Sequence, residues 1–237
     1  MKLNFAVVLP LANEEQEFQP FFGLLAGRLA SYPEARAYLV IDTVSKDRTL
    51  ELCRELEQAN PQFRVVFEPK NRNVVDAYIR GYREAIAGGH DYIIEMDAGN
   101  SHDPAALPLF LDAFEKGYAC VYGSRFIPGG KMDHASIRRS LFSKGGTLLA
   151  NMLLGTRLHD MTSGYQGFSR EVAEKFANYP LRSTAHFYQT ELRYLLRNYR
   201  GIEVPIVYRA PSPSVRPGAI KNSFITLFHY FLHTRQL

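Results

Sequence analysis

A chain of 237 residues, 46% hydrophobic and 22% charged, has an ordinary globular composition with apolar residues enough for one large domain or two small ones. Its 28 Lys and Arg against 24 Asp and Glu leave a formal charge of +4, an excess that suits anionic substrates or a lipid surface and does not call for nucleic acid. The two cysteines, Cys53 and Cys120, have neither metal-ligand spacing nor the density of a disulfide scaffold, so buried reduced thiols are expected. The N-terminus runs into a strand without a signal-peptide pattern, and no apolar run approaches the ~20 residues that cross a bilayer. The expectation is a cytoplasmic protein resting on the membrane's cytoplasmic face.

In chain order, apolar runs alternate with segments of helical period. Strands are predicted at Phe5–Leu9, Tyr38–Ile41, Val65–Phe67, Tyr92–Met96 and Cys120–Tyr122, with helices at Glu15–Tyr32, Lys46–Gln58, Val74–Ala87 and Pro104–Lys116 between them. Gly88-Gly89, Gly117 and Asn60-Pro61 punctuate the alternation as stop and turn signals. Such a βαβα order predicts an α/β fold with a mainly parallel central sheet flanked by helices. After Gly123 the style changes to a polar loop from Phe126 to Ser136 and a helix at Ile137–Leu154. A short loop-strand at Asp160–Ser169, a helix at Ala185–Asn198, a strand at Val204–Tyr208 and a proline-bearing loop at Ala210–Gly218 follow. No repeat or linker divides the chain, so residues 1–237 read as one domain whose second half builds an acceptor site.

Chemistry is expected where strands end, because ligands of open α/β sheets bind beyond the carboxyl ends of the strands. Asp97 follows an apolar strand just before the Asp103-Pro104 helix start, and Asp103 already fills the capping position. Asp97 is therefore free to anchor a divalent cation and a leaving diphosphate. Asp42 and Glu14 or Glu15 end or follow other strands of the same rim, whereas Asp47 reads as a helix-start residue. Basic residues Arg125, Lys131, Arg138, Arg139 and Lys144 cluster beyond the sheet, where arginine forks match phosphate geometry and a solvated helix face is the plainer explanation for Lys131. Asp160 precedes Thr162-Ser163-Gly164 and reads as either a turn cap or a sugar contact; Glu191 lies on a helix. The large apolar residues of the last segment, Ile220 to Leu232, suit packing against the domain, a second subunit in a homo-oligomer, or a lipid surface.

Several of these stretches occur together in one known order. Val7-Val8-Leu9-Pro10-Leu11-Ala12-Asn13-Glu14-Glu15, Val40-Ile41-Asp42-Thr43-Val44-Ser45-Lys46-Asp47-Arg48-Thr49 and Ala77-Tyr78-Ile79-Arg80-Gly81 come first. Gly123-Ser124-Arg125, Arg138-Arg139 with Ser143-Lys144-Gly145, Asp160-Met161-Thr162-Ser163-Gly164-Tyr165 and Glu203-Val204-Pro205-Ile206 follow. In this order the chain resembles the family 2 glycosyltransferases, and within them the polyprenyl-phosphate sugar synthases of the dolichol-phosphate mannosyltransferase type, over almost its whole length. The resemblance implies a GT-A-type fold, with residues 1–125 as the nucleotide-sugar-binding half and 126–237 as the acceptor half with a C-terminal helix. It implies inverting transfer of a sugar from a nucleoside-diphosphate sugar, most readily to a polyprenyl phosphate.

Carried onto this chain, the resemblance places Pro10, Asn13, Glu15, Asp42, Asp97 and Arg216 at the donor, Arg125, Arg138, Arg139, Lys144 and Ser163 at the acceptor, and Asp97, Asp160 and Glu191 in the chemistry. For Arg216 a diphosphate contact is expected, although Val215 stands at the closest aligned position. Two departures matter. The family's second aspartate after strand two is Thr43, and its D-x-D metal motif reads Asp97-Ala98-Gly99, so Asp97 is the one acid left to hold Mg²⁺ or Mn²⁺ and weak metal binding is expected. Ser101 and His102 stand close enough in sequence to assist. A saccharide hydroxyl as acceptor, in polysaccharide or glycolipid synthesis, and a non-catalytic nucleotide-sugar-binding role stand as alternatives. A hydroxyl acceptor would need Asp160 or Glu191 as base, whereas a lipid phosphate would not.

Overall fold

The computed structural model describes residues 3–133, 137–209 and 217–233. Its first half is the expected alternation: β1 (Phe5–Leu11), α1 (Phe18–Leu29), β2 (Arg36–Ile41), α2 (Thr49–Ala59), β3 (Phe63–Phe67), α3 (Val74–Ala87), β4 (Tyr92–Glu95), α4 (Leu107–Glu115) and β5 (Cys120–Ser124). The second half adds β6 (Lys131–Met132), α5 (Ile137–Leu154), β7 (Gln166–Ser169), α6 (Arg170–Ala177), α7 (Tyr188–Leu195), β8 (Gly201–Pro205), β9 (Val207–Tyr208) and α8 (Pro217–Leu232). Sequence periodicity did not single out α6, because its eight residues follow β7 without a break. The predicted strand at Val204–Tyr208 divides into β8 and β9, which belong to different sheets.

The main sheet has seven strands in the order β3-β2-β1-β4-β7-β5-β8. All neighbours pair in parallel except β7, which runs antiparallel between β4 and β5. Side chains alternate across β1 as strand geometry requires. Phe5, Val7 and Leu9 pack with α1 and α4 through Phe18, Phe22, Leu107 and Phe110, while Ala6 and Val8 pack with α3, α6 and α7 through Tyr78, Tyr82, Phe176 and Leu192. Both faces are covered, which explains why β1, β2 and β4 read as continuous apolar runs. Helix α3 lies so close to the sheet at Gly81 that a Cβ there would stand 2.2 Å from a methyl carbon of Val8. Cys53 and Cys120 are buried and free, and burial pushes both thiols up to about 12, so they stay protonated.

Strand direction decides what reaches the rim. The parallel strands deliver the residues after their C-terminal ends: Asn13 to Glu15 after β1, Asp42 after β2, Asp97 after β4 and Arg125 after β5. Because β7 is antiparallel, its beginning lies on that same side, and the turn at 160–165 is brought to the rim from the opposite chain direction. A third apolar cluster, with Ala150, Leu154, Tyr194, Leu227 and Tyr230, joins α5, α7 and α8 beside the sheet.

Candidate active site

Asp97 sits two residues beyond β4 with one edge open, its side chain 34% exposed. The buried Tyr78 hydroxyl, from α3, donates to its Oδ1. The backbone N–H of Asp97 donates to His102 Nδ1 at 2.9 Å, which fixes the imidazole as an acceptor at that nitrogen. Burial lowers the His102 pKa despite the Asp97 charge nearby, in keeping with a neutral ring. Burial alone would raise the Asp97 carboxyl, yet its surroundings, including the bond from the Tyr78 hydroxyl, hold it below the usual carboxylate value. His102 is thus an orienting residue for the Asp97 peptide, with Nδ1 already committed.

Two glycines shape the space around Asp97. A Cβ at Gly164 would stand 3.4 Å from Asp97 Oδ2 and 3.2 Å from both the His102 ring and Gln189 Nε2, so any side chain there would press on the Asp97 carboxylate and its neighbours. Gly99 has φ +74°, in the left-handed region that favours glycine, and a Cβ there would be 2.8 Å from Glu14 Oε2. Burial raises the Glu14 carboxyl and the Asp97 charge raises it further. Among the described residues, no three or more His, Cys, Asp or Glu converge as a metal cage. The donor set is nonetheless chemically suited to a hard divalent cation: the Asp97 carboxylate keeps an exposed edge, and the Glu14 carboxyl is near enough to feel its charge. Mg²⁺ and Mn²⁺ commonly complete their shells with phosphate oxygens and water.

Glu95, fully buried at the end of β4, is a site-region residue that sequence reasoning passed over. It accepts from Tyr82 at 3.0 Å and from Gln166 Nε2 at 3.0 Å, and burial pushes its carboxyl up to about 8. Below that pH the group is neutral, so no second full charge stands behind Asp97. A lone acid in the apolar run Tyr92-Ile93-Ile94-Glu95-Met96 was the available signal.

The loops after β1 and β2 are knitted together. Asn13, at φ 59°, accepts from the Lys46 N–H at 2.8 Å and donates its own N–H to Ser45 Oγ. Glu15 accepts from the Arg48 N–H at 3.2 Å, and its N–H donates to Asp47 at 3.0 Å. Asp47 also accepts from the Thr49 N–H and hydroxyl, as expected of a helix-start residue. Asp42 accepts from the Val44 N–H at 2.8 Å and stays half-exposed beside half-buried Pro10, facing the same rim. Arg216 and Val215 lie outside the described residues.

Beyond β5 the acids have a different use. Asp160, fully buried, accepts two bonds from the Arg125 guanidinium at 2.7 and 2.8 Å and one from the Arg125 N–H at 3.1 Å. Burial opposes its charge, but the Arg125 bonds bring its pKa down to about 2. Glu191, also fully buried, accepts from the N–H groups of Arg182 and Ser183 at 2.7 and 2.8 Å and from the Tyr230 hydroxyl at 2.7 Å. Both acids expected at the acceptor are engaged within the fold: Asp160 is the counter-ion of a buried arginine, and Glu191 ties α7 to α8 and the 182–183 loop. Ser163 likewise turns inward, its hydroxyl accepting from Tyr165 and its carbonyl from Arg193.

Arg193, another residue missed from sequence, is wholly buried and donates to the Asp160 and Ser163 carbonyls and to Gln166. It supports the turn that passes Asp97. Arg125, 5% exposed and engaged with Asp160 and Thr162, is a brace rather than an open phosphate contact. Its guanidinium stacks 5.1 Å from the Phe126 ring and 5.6 Å from Tyr208. The same two rings carry Lys144 and Arg139 at 5.4 and 5.8 Å. The structure thus gathers Arg125, Arg139 and Lys144 around Phe126 and Tyr208, while Arg138 points to solvent on α5. Tyr208 also packs against His102 at 5.9 Å, so this cationic cluster and the Asp97 pole share a wall.

This geometry has known relatives. Residues 6–176 match the family described as Glycosyl transferase family 2. The chain is 32% identical over 205 residues to polyprenol monophosphomannose synthase of Mycolicibacterium smegmatis, covering 85% of this chain and 76% of the relative. It is 30% identical over 208 residues to undecaprenyl-phosphate mannosyltransferase of Micrococcus luteus, covering 87% and 84%. In three dimensions it resembles glucosyl-3-phosphoglycerate synthase from Mycobacterium tuberculosis, solved with Mn²⁺, uridine diphosphate and phosphoglyceric acid. The TM-score is 0.71 at 18% identity over 97% of this chain and 78% of the other, a likeness of fold that is GT-A-like. The chain belongs to glycosyl transferase family 2 and is a glycosyltransferase.

Proposed function

We propose that the protein transfers a mannosyl group, with inversion, from a nucleoside-diphosphate mannose to a polyprenyl phosphate. The observation that carries this reading is the pairing of two poles across one wall: the half-open Asp97 carboxylate on one side of Tyr208 and the Arg139–Lys144 cations on the other. The named activities of the relatives supply the sugar and the lipid class. In the reaction an acceptor phosphate oxygen attacks the anomeric carbon while the bond to the donor diphosphate breaks, and the electron pair leaves with the diphosphate. An anionic phosphate needs no proton removed, which fits the engagement of Asp160 and Glu191 elsewhere.

A divalent cation, when bound, neutralises the charge that grows on the leaving diphosphate. Asp97 would hold it, and the Tyr78 and His102 contacts keep that carboxylate in place. Asp42 and Pro10 line the nucleotide side. Arg139 and Lys144 attract and orient the acceptor phosphate, with Arg125 and Asp160 fixing the aromatic floor beneath them.

Peripheral membrane contact fits the same acceptor. No described helix is long and apolar enough to cross a membrane. Yet α8 exposes Phe224, Ile225, Phe228, Phe231 and Leu232, and α5 exposes Ile137, Leu141, Phe142, Leu148 and Met152. Arg138 and Lys144 on α5 add positive charge to these apolar faces, a combination that suits an anionic lipid surface. The test is incubation with a panel of nucleoside-diphosphate sugars, Mn²⁺ and a polyprenyl phosphate in detergent, followed by mass spectrometry of the lipid fraction. Lipid-linked mannose is the expected product. Efficient transfer to a soluble saccharide with no product on any lipid phosphate would overturn the reading.

A further inference from the structure

Helix α7 passes the Asp97 pole, and its polar side chains are satisfied by the fold one after another. Thr190 donates to the Met161 carbonyl at 2.7 Å, Glu191 accepts from the Arg182 and Ser183 N–H groups, and Arg193 donates to the Ser163 carbonyl and to Gln166. The Tyr188 ring lies 5.3 Å from the ring of Tyr78, whose hydroxyl donates to Asp97. Gln189 is the exception. It is 2% exposed, and among the described residues its side-chain amide has no hydrogen-bond partner. Its Nε2 lies 3.2 Å from the point a Cβ on Gly164 would occupy, a point that is also 3.2 Å from the His102 ring and 3.4 Å from Asp97 Oδ2. Amide, ring and carboxylate edge therefore converge on Gly164.

A buried amide without a partner lowers stability, because its desolvation is not offset by hydrogen bonds. On a helix whose other polar groups are all engaged, that cost points to a group that arrives with the substrate. The amide's chemistry narrows the choice. Diphosphate oxygens only accept and would leave Oε1 unmatched, and a cation would suit Oε1 but not the Nε2 hydrogens. A sugar hydroxyl both donates and accepts, and a planar amide can meet one hydroxyl or two adjacent ones with both of its polar atoms. We propose that Gln189 binds a hydroxyl of the sugar being transferred and is a specificity-determining residue of the donor site. This rests on the reading that the donor diphosphate sits at Asp97, and it adds which side chain reads the sugar. The sugar is bonded to that diphosphate, so its ring must lie next to the Asp97 pole.

Calorimetry with Mn²⁺ present, comparing GDP-mannose with GDP and UDP-glucose with UDP, tests this apart from turnover. Gln189→Met keeps the side chain's bulk and removes both polar atoms. For whichever pair the parent binds, the variant's affinity for the sugar nucleotide is expected to fall about tenfold, while that for the bare diphosphate stays within about twofold. Its melting temperature without ligand should hold or rise, because no unpartnered amide is buried any longer. A deoxy analogue of the sugar nucleotide that lacks the hydroxyl concerned should bind parent and variant alike, as two changes to one contact do not add. Equal loss for sugar nucleotide and diphosphate overturns the inference by making Gln189 a diphosphate contact. Unchanged affinity for both overturns it and leaves the donor reading standing. Should Gln189→Met melt early, Gln189→Leu carries the same comparison, and early melting of both overturns the inference by making the amide part of the framework. Failure of the parent to bind any of the four nucleotides removes the donor reading itself, and the inference with it.

Discussion

The two halves of the molecule use the same charged residue types in opposite ways. From β1 to β4, acids reach the sheet rim as extensions of buried strands, and Asp42 and Asp97 keep an open edge. Beyond β5, Asp160 and Glu191 are interior: Asp160 is spent on Arg125 and Glu191 on two backbone N–H groups and Tyr230, while the cations Lys144 and Arg138 face outward. Asp42 and Asp97 stand open at the rim, whereas Asp160 and Glu191 hold a scaffold that presents positive charge. The difference follows from partners. A carboxylate whose acceptor sites are filled by a buried guanidinium has neither the room nor the basicity to take a proton.

The contrast can be broken most severely at Asp160. Asp160→Ala leaves the Arg125 charge buried and uncompensated, and a loss of about 3–5 kcal/mol in unfolding free energy is expected by denaturant titration. The pH sign follows from the depressed pKa. Asp160 contributes stability that is complete above its ordinary value near 3.8 and is lost as pH falls through about 2, so the parent should lose an acid-side increment that the variant lacks. A variant as stable as the parent would place Asp160 with the ligand-facing acids instead.

Asp97→Asn should do the reverse, lowering transfer by about a hundredfold, some 2.7 kcal/mol of transition-state stabilisation, with little change in melting temperature. Turnover above about a tenth of the parent's would exclude Asp97 as the principal metal and phosphate anchor. A smaller effect, about tenfold in the Michaelis constant for the lipid phosphate, is expected for Arg139→Ala combined with Lys144→Ala, with donor affinity nearly unchanged. Loss of donor affinity instead would move this cluster to the diphosphate. The mildest expected effect is at Asp42→Ala, a rise of about threefold in the apparent Michaelis constant for the donor; an unchanged constant would make Asp42 a turn residue that only holds Val44.

Most of the first half was legible in the sequence because its signals are local. Continuous apolar runs mark strands covered on both faces, helices between them impose parallel pairing, and α3 and α5 begin and end where periodicity placed them. The rim positions of Asp42 and Asp97 follow from strand ends alone. The second half was less legible because its signals are long-range. The antiparallel insertion of β7 depends on partners far away in the chain, and no period in Gln166–Ser169 distinguishes β7 from a parallel strand.

Residue type and order were enough to establish a glycosyltransferase of the GT-A-like α/β class and to mark its rim acids and basic segment. Only the tertiary structure decided which charges are free. Asp160 and Arg125 neutralise each other across 35 positions, and Glu191 meets Tyr230 across 39. Tyr208 gathers cations from two elements, and Glu14 enters the space that Gly99 leaves. The physical reason is that a side chain's chemistry depends on desolvation and on the partner within a few ångströms, and in a parallel sheet those partners come from strands distant in sequence.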